Sequence, residues 1–169
     1  RSVVGQQTGK LSEQADVTTI LNFTDAPLAD DAGGLTLAQV KQNRRQARDV
    51  NITFGAGERL RQGKLGFVYR HEVLPGHELT VTQYSMFRQF VGKLPIGPNA
   101  GSGVVVFDRF GIGGGMKYSI DGSIGGFRNR LIAGVDTQYQ IDNRRRFNNE
   151  NANRGKLRFH QDEEVTSVG

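Results

Sequence analysis

Arg128 to Gly169, RNRLIAGVDTQYQIDNRRRFNNENANRGKLRFHQDEEVTSVG, joins a long alternating segment to a basic, Asn-rich excursion and a polar return. From Leu131 the odd positions are Leu131, Ala133, Val135, Thr137, Tyr139 and Ile141, while the even positions from Gly134 are Gly134, Asp136, Gln138, Gln140, Asp142 and Arg144. Successive side chains of a strand point to opposite faces, so this spacing gives one segment an apolar face and a polar face. Two architectures use such a strand. A transmembrane barrel turns the apolar side to lipid and the polar side to its lumen. A soluble sandwich turns the apolar side to its own core, and the alternation alone leaves both open.

Composition narrows the choice. The chain has 169 residues, 23 of them Gly and only 4 Pro, which suits turns and closely approaching strands better than a helical bundle. With no cysteine, disulfide, zinc-thiolate and thiol-nucleophile chemistry are excluded. No run approaches the roughly 18 apolar residues of a membrane helix, so any membrane crossing has to use strands. The net charge of +5 comes from basic residues scattered over loops without interleaved aromatics, which argues against nucleic acid as a partner. The chain begins at Arg1 without an initiator Met or signal peptide, and is expected to be an excised piece of a longer protein.

Five further segments read as strands beside the opening one. Val17, Thr19, Leu21 and Phe23 share a face in residues 15–24. In residues 59–72 Leu65, Phe67 and Tyr69 oppose Lys64, Gly66, Val68, Arg70 and Glu72. In residues 78–91 the apolar set moves from Leu79 and Val81 to Tyr84 and Met86, which predicts a bulge near Gln83. In residues 105–120 Phe110, Ile112, Met116, Tyr118 and Ile120 oppose Arg109, Gly111, Gly113, Gly115 and Lys117. A return strand is expected over residues 159–169. Between the first two, a long charged excursion is expected to hold one short helix near Leu37 to Asn43, capped by Thr36 with Gln39 reaching back, and a short ribbon at Asn51 to Phe54.

The connections after Thr24, Val91 and Phe147 read as long, and those after Glu72 and Ile120 as short. Such alternation marks an up-and-down meander with its long loops on one side of a membrane. About six strands are fewer than the eight of the smallest outer-membrane barrels, so the chain is expected to be a sector of a larger wall.

Several stretches carry a family resemblance. They are TDAPLADDAGGLTLAQVKQNRRQA (Thr24 to Ala47), RQGKLGFVYRHEV (Arg61 to Val73), HELTVTQYSMFRQFVGKLP (His77 to Pro95), FDRFGIGGGMKY (Phe107 to Tyr118) and the segment from Asn129 to Gly169. Together they resemble the barrel of a TonB-dependent outer-membrane receptor of the ferric-siderophore type, similar to the ferric-citrate and ferrichrome receptors. The resemblance implies a bacterial outer-membrane protein for active uptake of an iron chelate, with a barrel of about 22 strands closed by an amino-terminal plug. It makes residues 1–169 a partial barrel domain, since the plug, the remaining strands and the segment that contacts TonB match nothing in this chain. The implied partners are the iron chelate, TonB through that amino-terminal region, and outer-membrane lipid and lipopolysaccharide. The alternative is a soluble antiparallel sandwich or partial barrel that binds carbohydrate or another ligand through its long loops.

No catalytic constellation, metal site or cofactor motif stands out. Gly111 to Ser119, GIGGGMKYS, misses the phosphate-loop pattern because Met116 precedes Lys117 and Ser119 comes too late. His71, His77 and His160 lack metal-ligand spacing. Asp30 and Asp31 suit turn capping beside Gly33 and Gly34. The candidate ligand-binding residues are the arginines of two loop clusters: Arg44, Arg45 and Arg48 in the first excursion, with Lys41 beside them, and Arg144, Arg145 and Arg146 in the last, bracketed by Arg154 and Lys156. Guanidinium forks clamp carboxylates and other oxygen-rich anions bidentately, which suits a negatively charged chelate.

Overall fold

The computed structural model describes residues 1–169 and contains one antiparallel sheet of seven strands in sequence order. These are β1 (Ser2–Lys10), β2 (Ala15–Asp30), β3 (Gly57–Leu74), β4 (His77–Lys93), β5 (Val104–Ile124), β6 (Phe127–Glu150) and β7 (Asn153–Val168). Two short helices, α1 (Leu37–Gln42) and α2 (Asp49–Thr53), lie between β2 and β3. The six expected strands pair with their neighbours as the alternation predicts. The seventh, β1, was not foreseen: Val3 and Val4 are its only large apolar residues, and it is held through its backbone register with β2.

The register sorts the faces row by row. Phe23, Gly63, Phe87, Phe110 and Ile141 lie opposite one another across β2 to β6, and so do Leu21, Leu65, Ser85, Ile112 and Tyr139. Val17, Tyr69, Val81, Met116 and Val135 follow further along, and Ile120 opposite Leu131 ends the band. The other face carries Asn22, Lys64, Met86, Gly111 and Gln140 in one row and Thr18, Val68, Thr82, Gly115 and Asp136 in another.

No second layer covers the apolar face. Only 17 of 169 residues are buried, and the buried apolar ones are Ala15, Ala56, Val104 and Val106, while Phe110 and Met116 remain about half exposed. A sandwich needs a second sheet to bury that face, and within this chain there is none.

Three sequence expectations are corrected. The ladder of β4 runs through Gln83 without interruption on both sides, so there is no bulge there. Tyr84 and Met86 sit on the polar face because their partners across the ladder are Gly113 and Gly111, whose missing side chains leave the room. Asn51 to Phe54 is not a ribbon: α2 occupies it, and Asn51 is buried with its side-chain amide donating to the Asp31 carbonyl at 3.0 Å. The third long loop is a two-residue hairpin turn, because β6 and β7 continue almost to the tip. Asn151 and Ala152 both take positive φ, 51° and 70°, the backbone of a type I′ turn.

The helix α1 forms with the foreseen capping box. The Thr36 hydroxyl accepts from the Gln39 backbone N–H at 3.3 Å, and the Gln39 side chain accepts from the Thr36 backbone N–H at 2.8 Å. Asp31 caps its turn by accepting from the Gly33 backbone N–H at 2.9 Å. At the opposite end of the sheet, Pro75–Gly76 and Gly125–Gly126 make the tight turns, the latter with φ of 60° and 84°.

Candidate functional site

The candidate arginines are divided by strand parity. Arg144, Arg145 and Arg146 belong to β6, where alternate side chains go to opposite faces. Arg144 and Arg146 stand on the polar face, opposite Phe107 and Val105. Arg145 stands on the other face beyond the apolar band, and donates to Asp108 at 2.7 Å. A run of three arginines therefore does not form one cluster.

Around Arg144 the polar face assembles residues from five strands. One row holds Gln62, Arg88, Arg109, Asp142 and Glu163, and the next holds Leu60, Phe90, Phe107, Arg144 and Gln161. Asp142 is 1% exposed and accepts from Arg109 Nε and Nη2, both at 2.6 Å, and from Arg144 Nη2 at 3.2 Å. The carboxylate thus receives one bidentate fork, which fixes the Arg109 guanidinium plane, and one nitrogen of Arg144, which tethers the second. Both guanidinium carbons lie 5.6 Å from the Phe107 ring centre. Phe107 in turn stacks on Phe90 with centroids 5.0 Å apart. Arg88 donates Nε and Nη2 to one neutral acceptor, the Gln62 side-chain oxygen, at 2.7 and 2.5 Å.

The charge of this patch is unbalanced. Across β3 to β7 the three rows from Arg88 to Arg146 hold four guanidiniums, Arg88, Arg109, Arg144 and Arg146, against the carboxylates Glu58, Asp142 and Glu163. One positive charge is in excess, on a face open to solvent. Such a patch attracts anions and offers them N–H donors in planar pairs.

Arg44, Arg45 and Arg48 lie in the excursion between β2 and β3, all exposed and without an ion pair. No hydrogen bond ties their side chains to the arginines of the wall. The base of the excursion is nevertheless fastened. Asn149, 0% exposed, donates its amide to the Phe54 carbonyl at 2.8 Å and the Leu94 carbonyl at 3.1 Å, and accepts from the Ala152 N–H at 2.9 Å. Lys93 adds a bond to the Ala152 carbonyl at 2.5 Å. One asparagine thereby joins three connections at the same end of the sheet.

The histidines lie apart from one another. His77 Nδ1 meets the Tyr118 hydroxyl at 3.1 Å, His71 packs edge-on to Tyr69, and His160 Nε2 meets the Asn143 amide at 2.9 Å. Gly111 to Ser119 is the middle of β5 rather than a loop. Arg88, Arg109, Phe107 and Asp142 were missed as site residues. Their signal was two aromatics, Phe90 and Phe107, with the parity of the polar face, next to charges in mid-strand.

The fold is that of a barrel wall: a single sheet of long antiparallel strands, apolar on one side and polar on the other. Among solved structures, the crystal structure of the ferric citrate transporter FecA in its unliganded form matches with a TM-score of 0.74 and 16% identity. The match covers 99% of this chain and 24% of the transporter, so the chain spans about a quarter of that protein's length. At this identity the likeness is one of fold. No family model matches the chain, and no curated protein does.

Proposed function

We propose that this chain, residues 1–169, is a sector of an outer-membrane receptor barrel that takes up an anionic iron chelate such as ferric citrate, with no catalytic role. The observation that carries the reading is the two-sided sheet. One face is an uncovered, mainly apolar band, crossed by one row in which Phe67 stands among Thr19, Gln83, Gly114 and Thr137, and the other is polar with surplus guanidinium charge at the end where the long connections lie. From Leu131 to Ile141 the band spans ten residue steps, about 33 Å of strand, or about 23 Å along the normal at a tilt of ~45°, close to the ~25 Å band of outer-membrane barrels. Phenylalanines Phe23, Phe87 and Phe110 edge the band at the long-connection end, and Tyr69 and Tyr118 stand near the other, as aromatic girdles do at the two interfaces.

In this reading the polar face lines the lumen. The remaining strands, the plug and the contact with TonB belong to the rest of the parent protein. Outer-leaflet lipopolysaccharide and lipid surround the apolar side. The arginines of the excursion, Arg44, Arg45 and Arg48, stand outermost, where they raise the local concentration of an anionic chelate, and Arg144 and Arg146 receive it on the wall.

The test is uptake of radiolabelled ferric citrate by cells that carry the complete parent protein as their only candidate receptor. The expected result is accumulation that stops when the proton-motive force is collapsed. Cells that accumulate no more iron than a strain without the protein would refute the reading.

A further inference from the structure

We infer that the membrane-facing side of β3, β4 and β5 docks a second copy of this protein about a twofold axis along the membrane normal, with Gln83 of one copy meeting Gln83 of the other on that axis. The inference rests on the receptor reading above only in placing this face in lipid.

The observation that carries it is an unpartnered amide in the middle of the apolar band. On this face β4 presents Leu79, Val81, Gln83, Ser85 and Phe87, so Gln83 stands midway. Four residues of strand at a tilt of ~45° leave about 10 Å of band on either side of it along the normal. The Gln83 side chain is exposed. Its neighbours Thr82 and Tyr84 bond to the Gly115 carbonyl and the Gln138 side chain on the polar face, whereas the Gln83 amide bonds to nothing in the chain. Lysine and arginine reach an interface from within a membrane by stretching a long stem, which glutamine lacks. Hydrocarbon supplies neither donor nor acceptor, so the amide is costly there until a polar partner meets it.

The surroundings select a second copy as that partner. A carboxamide carries two donors and an acceptor, so two of them related by a twofold axis exchange a reciprocal pair of hydrogen bonds. Copies inserted in one membrane share an orientation, which sets the axis along the normal. Two flanking positions are small: Gly114 lies opposite Gln83 on β5 and Ser85 follows it on β4. Small residues let two membrane-facing surfaces approach closely, and polar side chains then join them. The face is also uncharged. The four rows from Phe23, Gly63, Phe87, Phe110 and Ile141 down to Val17, Tyr69, Val81, Met116 and Val135 hold no Asp, Glu, Lys or Arg, so two copies meet there without repulsion.

The experiment uses the complete parent protein in its outer membrane, in a cysteine-free background; these 169 residues contain no cysteine. Gln83→Cys is oxidised with copper phenanthroline and run on a non-reducing gel beside Leu21→Cys and Val135→Cys, which stand on the same band to either side of the axis. The expected result is a linked dimer from Gln83→Cys and monomers from the other two. In parallel, the unaltered protein and Gln83→Leu are extracted with their lipid in polymer-bounded discs and weighed by light scattering. The unaltered protein is expected at two copies per disc, and Gln83→Leu is expected to lower that two-copy fraction by about fivefold, the size of a polar contact within a membrane. All variants are checked for the heat-modifiable gel mobility of a folded barrel, and single copies of the unaltered protein overturn the pairing even if a variant does not fold. A linked dimer no more abundant from Gln83→Cys than from the flanking positions overturns it as well, as does a two-copy fraction that Gln83→Leu leaves unchanged. Leu21→Cys and Val135→Cys are also treated in isolated membranes with a water-soluble maleimide. Protection of both while Gln83→Cys forms no linked dimer overturns the pairing alone, whereas rapid reaction of both overturns the placement of this face in lipid, and the pairing with it.

Discussion

The Tyr84 side chain lies across Gly113 of the neighbouring strand, and its hydroxyl donates to the Gln138 side-chain oxygen at 3.1 Å. A Cβ on Gly113 would stand 2.5 Å from that hydroxyl oxygen and 2.9 Å from the Thr137 carbonyl. The ring therefore occupies the space that glycine leaves, and it bridges from β4 past β5 to β6. Phe87 covers Gly63 in the same manner on the apolar face.

Gly113→Ala is expected to push Tyr84 off the sheet and break its bond to Gln138. The cost should be on the order of 1–3 kcal/mol, as for other insertions into filled space. The denaturant midpoint of the reconstituted parent barrel measures it. Gly122→Ala, which meets nothing within 4 Å, serves as the control and should change little.

Spin labels at Phe67, Phe110, Ile112, Leu131 and Val135 should report lipid in the complete receptor. Labels at Arg70, Asp136, Gln138 and Gln140 should be reached by a water-soluble relaxation agent and shielded from lipid. The register makes the two sets alternate along each strand, so a shift of one residue would exchange them. The reverse accessibility pattern would sink the assignment of faces.

Arg145→Ala should leave chelate binding unchanged although it adjoins Arg144. Its side chain is on the opposite face and pairs with Asp108, both partly exposed, and such a pair contributes at most about 1 kcal/mol to stability. Binding isotherms of the Arg144, Arg145 and Arg146 single variants should thus rank Arg145 last. Equal losses at all three would mean that the run acts as undirected surface charge.

Asn149→Ala removes two buried donor contacts and one acceptor contact at once, leaving the Phe54 and Leu94 carbonyls without this partner. A loss of about 2–4 kcal/mol of local stability is expected from the unmet polar groups. Amide exchange should accelerate in residues 31–56 and 94–103 together. Acceleration in only one of the two segments would show that they are fastened independently.

Much of the fold was legible because period-two alternation is a direct record of which side chains share a face. Leu131 to Ile141 and Phe110 to Ile120 carried enough apolar residues at one parity to set both faces. The Thr36–Gln39 box was legible for a similar reason, since it depends on residues three apart. What stayed hidden depends on partners distant in sequence. Strand β1 has little alternation of its own and is defined by β2. Tyr84 and Met86 looked out of phase until their glycine partners across the ladder were known. Asn151 and Ala152 read as loop because the composition around them is polar, whereas the backbone makes a tight turn. At the site, the arginine run suggested a cluster that parity forbids. Asp142 shares a face with Arg144 by the alternation alone, but Phe107 beside Arg144 and Arg109 on Asp142 become visible only through the β5–β6 register.

Each strand of this sheet is bonded only to the strands before and after it in the chain. The wall is therefore modular, and its module is the hairpin rather than the strand. Excising β3 and β4 together would bring β2 beside β5 running in the opposite direction, still able to pair, whereas excising either alone would leave two neighbours running the same way. Walls of this construction can lengthen or shorten in twos without rewriting what remains, and each added pair widens the circumference while carrying its own turn, its own register and its own two faces.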